Sequence, residues 1–378
     1  MNQLDIYIKK VNERLFRDYL QGDIFCGENG PYDDKETKVR NLCALIISSC
    51  ISVLDGEEEI CEVNHILNMV NELYSFEDVD GLYIIRNKDG KDFCNGVLGH
   101  AWVMEALMYV YLVTKDKKHV DKCTHIFESH KFNEKTGLWM CPIKFGGKCD
   151  MTINHQIWFA GVAAELYLLT NSQEVMNKLQ IFADMFWKNT SVHMCGLICH
   201  YVQGSKGITK IKSNIKVFLD EARALMGLSS MRYKENGYHM FCLTGLARIK
   251  MAGIGESIFT NRHFSKALRY CNTKKYRTCL LDNKHDKDIS TLTDKKKMQA
   301  ISCNIYGYSY NAPGFEVEYV HSIFSCINET TITELKCKQL ELTYNPDSVL
   351  FENNTMDKFD LSYKVYEGMI KETHWKER

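Results

Sequence analysis

Two stretches decide the fold of this chain: VLGHAWVMEALMYVYLVT at 97–114 and NHQIWFAGVAAELYLLT at 154–170. Each is long enough for a helix of about five turns, and each is apolar on nearly every side. A helix of that composition outside a membrane must be buried on all its faces. The two stretches therefore predict inner helices that are enclosed by a second helical layer.

The second layer is predicted by amphipathic stretches. Residues 61–74, 118–130 and 256–271 each combine a charged face with an apolar face, as an outer helix requires. Further helices are predicted at 4–19, 173–188, 211–229 and 331–339, with 211–229 as an insertion. The inner helices are assigned to 37–54, 97–114, 154–170, 236–251, 312–327 and 357–372.

Six inner helices that alternate with outer helices predict an all-α fold, an (α/α)6 toroid, over a single domain 1–378. Their starts are about 45–80 residues apart, roughly one helical hairpin each. Only 4 Pro and a 45% apolar content suit one large helical core, because Pro breaks helix interiors. Short β-hairpins are expected in the loops at Gly81–Arg86, Gly137–Lys144, Gly196–Val202 and Ser348–Glu352.

Charge and hydropathy exclude several classes of partner. The net charge of −1 predicts no nucleic-acid binding, and the basic stretch Lys284–Lys297 mixes Lys with Asp as a solvated loop does. No run of about 18 apolar residues occurs, and Met1–Leu20 lacks the apolar core of a signal peptide. We therefore expect no membrane association and a cytoplasmic location. The sequence indicates no particular oligomeric state.

The 16 Cys are expected to be reduced and mostly to fill space in the core. Cys195, Cys199 and His200 lie close together, and Cys141 and Cys149 flank a Gly-rich turn. No C-x-x-C pair occurs, and none of these spacings matches a structural zinc site. The prediction is therefore that the protein has no metal and no cofactor.

In a toroid the inner helices run in one direction, so their N-terminal ends meet on one face. The predicted starts carry polar and aromatic residues that a structural core does not need. Candidate substrate-binding residues are His100, Trp102, Asn154, His155, Trp158, Tyr238, His239 and Tyr310. Candidate catalytic residues are Asp150, Glu316 and Glu318.

These residue types suit a carbohydrate. Aromatic rings offer flat faces to sugar rings, amides and imidazoles bind hydroxyls, and paired carboxylates supply general acid and base. Carboxyl separations of about 5–5.5 Å favour retention, and about 6.5–9.5 Å inversion. Structural alternatives stay open: Asp150 as a cap, Glu316 as a helix N-terminal acid, and the histidines as core residues. Glu105 either has a buried partner or faces the cleft.

Three segments resemble the six-hairpin carbohydrate-active superfamily of glycoside hydrolases, polysaccharide lyases and N-acylglucosamine 2-epimerases: Asn95–Ala106, Thr152–Phe159 and Pro313–Tyr319. The last is similar to the P-G-H-x-x-E-W stretch of the epimerases, which aligns Glu318 with the family's acidic residue. Phe315 stands where that family has a catalytic His. His100 lies five residues before Glu105, whereas the family has H-x-x-E-A.

The resemblance implies a carbohydrate-active enzyme. The hypothesis from sequence is a glycoside-hydrolase-like enzyme that acts on an oligosaccharide or sugar intermediate by carboxylate acid/base chemistry. One alternative is a sugar 2-epimerase or isomerase, although the missing His removes one of the two bases that reaction needs. A second is a non-catalytic sugar-binding or scaffold protein of polysaccharide metabolism.

Overall fold

The computed structural model describes residues 3–57, 62–203, 215, 217–220, 222–223, 226, 230–283 and 300–376. Most of the predicted helix 211–229 and all of the predicted loop Lys284–Lys297 lie outside the described residues. In the rest of the chain helices dominate and the strands are short, which confirms the all-α prediction.

The described helices alternate along the chain between two layers. In chain order they are α1 (Gln3–Leu20), α2 (Val39–Leu54), α3 (Val63–Ser75), α4 (Leu98–Thr114), α5 (Lys118–Ser129), α6 (Ile153–Thr170), α7 (Gln173–Asn189), α8 (Arg232–Met251), α9 (Glu256–Phe259), α10 (Arg262–Cys271), α11 (Lys274–Leu280), α12 (Pro313–Phe324), α13 (Glu329–Thr343), α14 (Asp360–Tyr363) and α15 (Thr373–Lys376).

The inner layer is a closed ring. Helix α2 packs on α4, α4 on α6, α6 on α8, and α8 on α12. The 3-10 segment Lys364–Gly368, which follows α14 directly, packs on both α12 and α2 and closes the ring. The helices α1, α3, α5, α7, α11 and α13 each pack on inner elements from outside. Two-layer closure over these described helices confirms the predicted (α/α)6 toroid.

The sixth inner element differs from its prediction. A continuous helix was expected over 357–372, but the segment is α14 followed by a 3-10 helix. The Asp357 carboxylate accepts the backbone N–H groups of Phe359 and Asp360, which starts a new helix there. In the tighter 3-10 winding, residues three apart share a side. Lys364 and Glu367 consequently point the same way, with their charged atoms 3.7 Å apart.

Among the described residues, two loop hairpins form as antiparallel pairs of two-residue strands. β1 (Phe132–Asn133) pairs with β2 (Leu138–Trp139), and β3 (Tyr344–Asn345) with β4 (Leu350–Phe351). These confirm the strands predicted at Gly137–Lys144 and Ser348–Glu352. The other two predicted pieces form isolated bridges: Glu36–Arg86, Glu77–Tyr83, Val192–Ile198 and Thr152–Tyr201.

The core contains a buried ion cluster at the centre of the ring. Arg248 of α8 pairs with Glu105 of α4 and, at 3.0 Å, with Glu165 of α6, and all three side chains are fully buried. The Arg248 guanidinium also lies 4.5 Å from the centre of the Trp158 ring. Of the two alternatives for Glu105, the structure therefore supports the buried partner. Within the described residues, no helix has the length and apolar content needed to cross a membrane.

Candidate functional site

A cavity of about 650 Å³ opens at the N-terminal ends of the inner helices. This is the face on which the sequence predicts a cleft. Five inner elements and the segment that precedes the remaining one, α12, contribute to its wall. They include Arg40 from α2, Trp102 from α4, His155 from α6, Tyr238 from α8, Asn311 before α12, and Lys364 from the 3-10 segment.

Five of the predicted site residues line this cavity: Trp102, Asp150, His155, Tyr238 and Tyr310. The other six predicted residues are absent from its lining: His100, Asn154, Trp158, His239, Glu316 and Glu318. Residues at the starts of inner helices were expected to meet in one cleft. About half of the candidates do so, and the other side chains do not line the cavity.

Neither of the predicted glutamates faces the cavity. Glu318 is half exposed and forms an ion pair of 2.6 Å with Lys336 of the outer helix α13. Glu316 is fully buried, and burial together with the nearby charge of Glu367 raises its pKa well above the usual value. Because only Asp150 of the three carboxylates lines the cavity, the expected acid pair across a cleft is corrected to a single carboxylate.

Two of the predicted histidines hold the loops together. His100 Nε2 accepts the Tyr83 backbone N–H at 3.2 Å, and His100 Nδ1 lies 2.9 Å from His130 Nε2. His239 Nδ1 accepts the Ile198 backbone N–H, and Nε2 donates to the Ala267 carbonyl. Burial lowers the pKa of both rings, that of His239 to about 4, so both are neutral. These contacts support the alternative in which both histidines are structural residues of the core.

Trp158 and Asn154 also lie in the core instead of the cavity wall. The Trp158 ring is stacked on Phe241 with ring centres 4.2 Å apart, and the Arg248 guanidinium lies 4.5 Å from the centre of the Trp158 ring. Asn154 is buried, and within the described part of the chain its side-chain amide has no hydrogen-bond partner. Neither side chain is placed where a sugar in this cavity would touch it.

Asp150 and His155 form a hydrogen-bonded pair in the cavity wall. His155 Nδ1 lies 2.8 Å from Asp150 Oδ2, which also accepts the Val97 backbone N–H at the start of α4. Asp150 Oδ1 accepts the Thr152 backbone N–H. Burial raises the pKa of Asp150, but His155 and these N–H groups more than offset it, so the net shift is downward. Asp150 is thus a permanent carboxylate that orients His155.

Gly96 makes this approach possible. Its φ is +67°, and a Cβ at this position would lie 1.9 Å from Asp150 Oδ2. Any larger residue would push the carboxylate away from the N-terminus of α4 and from His155. The pair therefore depends on a glycine in the loop before an inner helix as well as on its own two residues.

His200 is a functional candidate that sequence reasoning missed. It was considered only as a neighbour of Cys195 and Cys199, yet it lines the cavity. Burial, Lys234 and His155 lower its pKa well below the usual value, so the ring is neutral. Its Nδ1 has no hydrogen-bond partner among the described residues. Because His200 lies in a loop before α8, no helical periodicity could have identified it.

Arg40 is a second missed residue. Its guanidinium lies 4.4 Å from the centre of the Trp102 ring and bridges Glu36 at 2.9 Å and Asp360 at 2.8 Å. Arg40 is the second residue of α2, so the rule that inner-helix starts face the cleft would have identified it. Lys234 was missed because α8 begins at Arg232, one turn before the predicted start at 236.

Glu36, one of the acids that pair with Arg40, is expected to make the stability of the fold depend on pH. Burial, opposed by Arg40 and assisted by Asp360 and Asp357, raises the pKa of Glu36 to about 8. Below that pH Glu36 is neutral in the folded protein, whereas in the unfolded chain it ionises near its usual pKa of about 4.3. The unfolded chain then binds fewer protons, so stability falls as pH rises from about 4.3 to about 8.

Thermal unfolding at pH 5.5 and 8.5 measures this loss. The isosteric substitution Glu36→Gln should reduce the difference in unfolding free energy between the two pH values by about 3 kcal/mol. A Glu174→Gln variant, which changes an exposed acid of α7, serves as control. An equal pH dependence in Glu36→Gln and the unchanged protein would contradict the assignment.

Three tyrosines, Tyr32, Tyr238 and Tyr310, form part of the cavity wall. Tyr32 and Tyr238 share a hydrogen bond of 2.6 Å between their hydroxyl groups. Tyr310 donates its hydroxyl proton to Asn29 Oδ1, and a Cβ on Gly30 would lie 2.2 Å from its ring. These contacts fix the aromatic faces before any ligand arrives, which lowers the entropy lost on binding.

Two groups of potential metal ligands occur in the described part of the chain: Asp92 with Cys94 and Cys141, and His193 with Cys199 and Glu235. In the second group His193 Nε2 lies 2.6 Å from Glu235 Oε2, and Glu235 Oε1 accepts the His200 backbone N–H. These hydrogen bonds provide a structural role for both residues. The absence of a metal stays a prediction.

The fold and the cavity define the class of this protein as a six-hairpin (α/α)6 toroid with an open cavity at the N-terminal ends of its inner helices. No protein-family model matches the chain. Archaeal glycosylation protein Q of Haloferax volcanii is 25% identical, and the match covers 96% of each chain.

Solved structures share the fold at low sequence identity. Cellobiose 2-epimerase of Spirochaeta thermophila has a TM-score of 0.58 and 12% identity, with 97% of this chain and 96% of that chain covered. The GH76 α-mannanase of Bacteroides thetaiotaomicron has a TM-score of 0.56 and 9% identity, with 97% and 95% covered. At such identities the likeness establishes the architecture.

Proposed function

We propose that the protein is a carbohydrate-active enzyme that removes and returns a proton at a sugar carbon, as an epimerase or isomerase does. The observation that carries this proposal is the Asp150–His155 pair in the wall of the cavity. The names of the relatives support the sugar part of it: one is a glycosylation protein, and the structural neighbours are a cellobiose 2-epimerase and an α-mannanase.

The geometry suits His155 as a general base. Because the Asp150 carboxylate accepts from Nδ1–H, the Nε2 of His155 keeps its lone pair. A carbon-bound proton next to a carbonyl group is acidic enough for such a base once the forming enolate oxygen is stabilised. His200, a neutral ring in the same cavity, can donate a hydrogen bond to that oxygen.

The cavity is less suited to hydrolysis by two carboxylates. That mechanism needs one carboxylic acid with a raised pKa to protonate the leaving group. Of the described lining residues, the carboxylates are Asp34, Asp92 and Asp150. Asp34 and Asp92 are paired with Arg86, and the pKa values of Asp34 and Asp150 are lowered. The arrangement thus supports proton transfer at a sugar carbon by the single base His155 over hydrolysis by two carboxylates.

Proton transfer can be tested with a panel of reducing sugars and oligosaccharides in deuterated water. We expect NMR to show deuterium at one sugar carbon without cleavage of a glycosidic bond. His155→Gln should slow this exchange by about 10²–10⁴-fold, the usual contribution of general base catalysis. His263→Gln, on the outer helix α10, is the matched control and should keep full activity.

Other outcomes separate the alternatives. Cleavage of an oligosaccharide without deuterium at carbon would contradict proton transfer and support the hydrolase. Binding of a sugar with neither exchange nor cleavage would support the non-catalytic sugar-binding protein.

A further inference from the structure

The cavity carries more positive than negative side chains. The described basic residues that line it are Arg40, Arg86, Lys91, Lys148, Lys234 and Lys364, against Asp34, Asp92 and Asp150. The whole chain has a net charge of −1, so this excess is local. The N-terminal ends of the inner helices add further positive potential at the same face.

The carboxylates of the lining already have partners. Asp34 is surrounded by three cations, Arg86 at 3.0 Å, Lys88 at 2.8 Å and Lys91 at 2.6 Å. Asp92 also pairs with Arg86, at 2.8 Å. Since Asp34 and Asp92 already form ion pairs, they do not neutralise the other lysines that line the cavity.

Lys234 is a lysine of the cavity wall that is surrounded by aromatic rings. Its ammonium group lies 4.9–6.0 Å from the ring centres of four tyrosines: Tyr32, Tyr201, Tyr238 and Tyr306. Among the described residues no carboxylate forms an ion pair with it. Burial and the charge of Lys91, opposed in part by Glu235, lower the pKa of Lys234 to about 8. Aromatic faces stabilise an ammonium group, but they do not neutralise its charge.

We propose that the cavity binds an anionic sugar of the uronate class, whose carboxylate pairs with the ammonium group of Lys234. This inference rests on the proposed function and names the substrate class of that site. The tyrosine rings around Lys234 reduce its contact with water, which strengthens the ion pair. The same rings offer flat surfaces to the sugar.

A carboxylate fits this wall better than a phosphate. A sugar phosphate carries a charge of about −1.5 to −2 at pH 7 and needs more than one free cation, whereas a uronate carboxylate carries a single negative charge. Arg86 is held by Asp34 and Asp92, and Arg40 by Glu36 and Asp360. Lys234 offers a single point charge, which matches a single anionic group.

Isothermal calorimetry tests the inference with glucuronate and galacturonate as probes, against glucose, galactose and glucose 6-phosphate. We expect uronates to bind at least tenfold more tightly than the neutral sugars at low salt. Lys234→Gln should remove this preference, and Lys234→Arg should restore it. The control is Lys178→Gln, which removes a lysine that lies over the Phe127 ring on the outer layer.

Protonation supplies a second readout. A carboxylate beside Lys234 raises the pKa of the ammonium group again, so uronate binding at pH 8 should take up protons. Titrations in buffers of different ionisation enthalpy measure this uptake, which should vanish in Lys234→Gln and persist in Lys178→Gln.

Equal affinity for uronates and neutral sugars, with deuterium exchange intact, would overturn the inference and leave the proposed function standing. Tighter binding of glucose 6-phosphate than of either uronate would overturn the carboxylate assignment. Failure of every sugar to bind or exchange would overturn the proposed function and this inference together.

Discussion

Replacing Arg248 with Met is expected to lower the free energy of unfolding by about 3–5 kcal/mol, the usual cost of breaking a buried ion pair. The substitution leaves Glu105 and Glu165 fully buried at the centre of the ring without their cation. Met fills much of the volume of the Arg side chain, so the loss reports mainly on charge. Equilibrium urea unfolding followed by circular dichroism measures it.

The loss should depend on pH in a defined direction. Burial already raises the pKa of Glu105 while Arg248 lowers it. Without Arg248 the pKa rises further, so the acid stays protonated in the folded variant but ionises in the unfolded chain above about 4.3. An acid whose pKa is higher in the folded protein stabilises the fold at pH values below its pKa in the unfolded chain. This stabilisation is lost as the pH rises toward its pKa in the folded protein. The variant should therefore be closest to the unchanged protein at pH 5 and furthest from it at pH 8.

Two further variants separate charge from packing. Arg14→Met removes the cation of a half-exposed pair with Asp18 and should cost less than about 1 kcal/mol. The triple change Arg248→Met, Glu105→Leu and Glu165→Leu removes the whole cluster and should recover most of the lost stability. A loss in Arg248→Met below about 1 kcal/mol would contradict the role of the buried ion cluster.

The ring of inner helices was predictable because it depends on the pattern of apolar residues within each helix. The stretches 97–114 and 154–170 are apolar all round, and their burial on every side follows from the removal of apolar surface from water. The sixth inner element was predicted as a continuous helix over 357–372, but Asp357 caps a helix that begins only at Asp360, and 3-10 winding follows from Lys364. This cap joins residues only two and three positions apart, but it leaves no periodic pattern of apolar residues.

The candidate site was predictable in part. Asp150 and His155 were found because they flank the start of an inner helix. Glu316 and Glu318 were placed together, but two residues turn a helix by about 200°, so their side chains point to opposite sides. Glu316 enters the core, whereas Glu318 is half exposed and pairs with the buried Lys336 of the outer helix α13. This rotation could have been applied to the sequence, whereas the cavity position of His200 depends on how a loop folds over α8.

Replacing Asp150 with Asn is expected to slow deuterium exchange by about 10²–10⁴-fold, as the loss of an oriented general base does. The amide can present an N–H group to His155 Nδ1 where the carboxylate accepted one. The ring then carries its proton on Nε2 and has no lone pair for the sugar. The carboxylate also stabilises the imidazolium that forms when His155 takes a proton, and the amide does not.

A double-mutant cycle distinguishes this role from a purely structural one. Asp150 also accepts backbone N–H groups of Val97 and Thr152, so Asp150→Asn will cost some stability for reasons unrelated to His155. If Asp150 acts through His155, the double variant Asp150→Asn, His155→Gln should be no slower than His155→Gln alone. Rate losses that multiply in the double variant would show that the two residues act independently. In that case the orienting role of Asp150 would be wrong, even though its contacts at the start of α4 would remain.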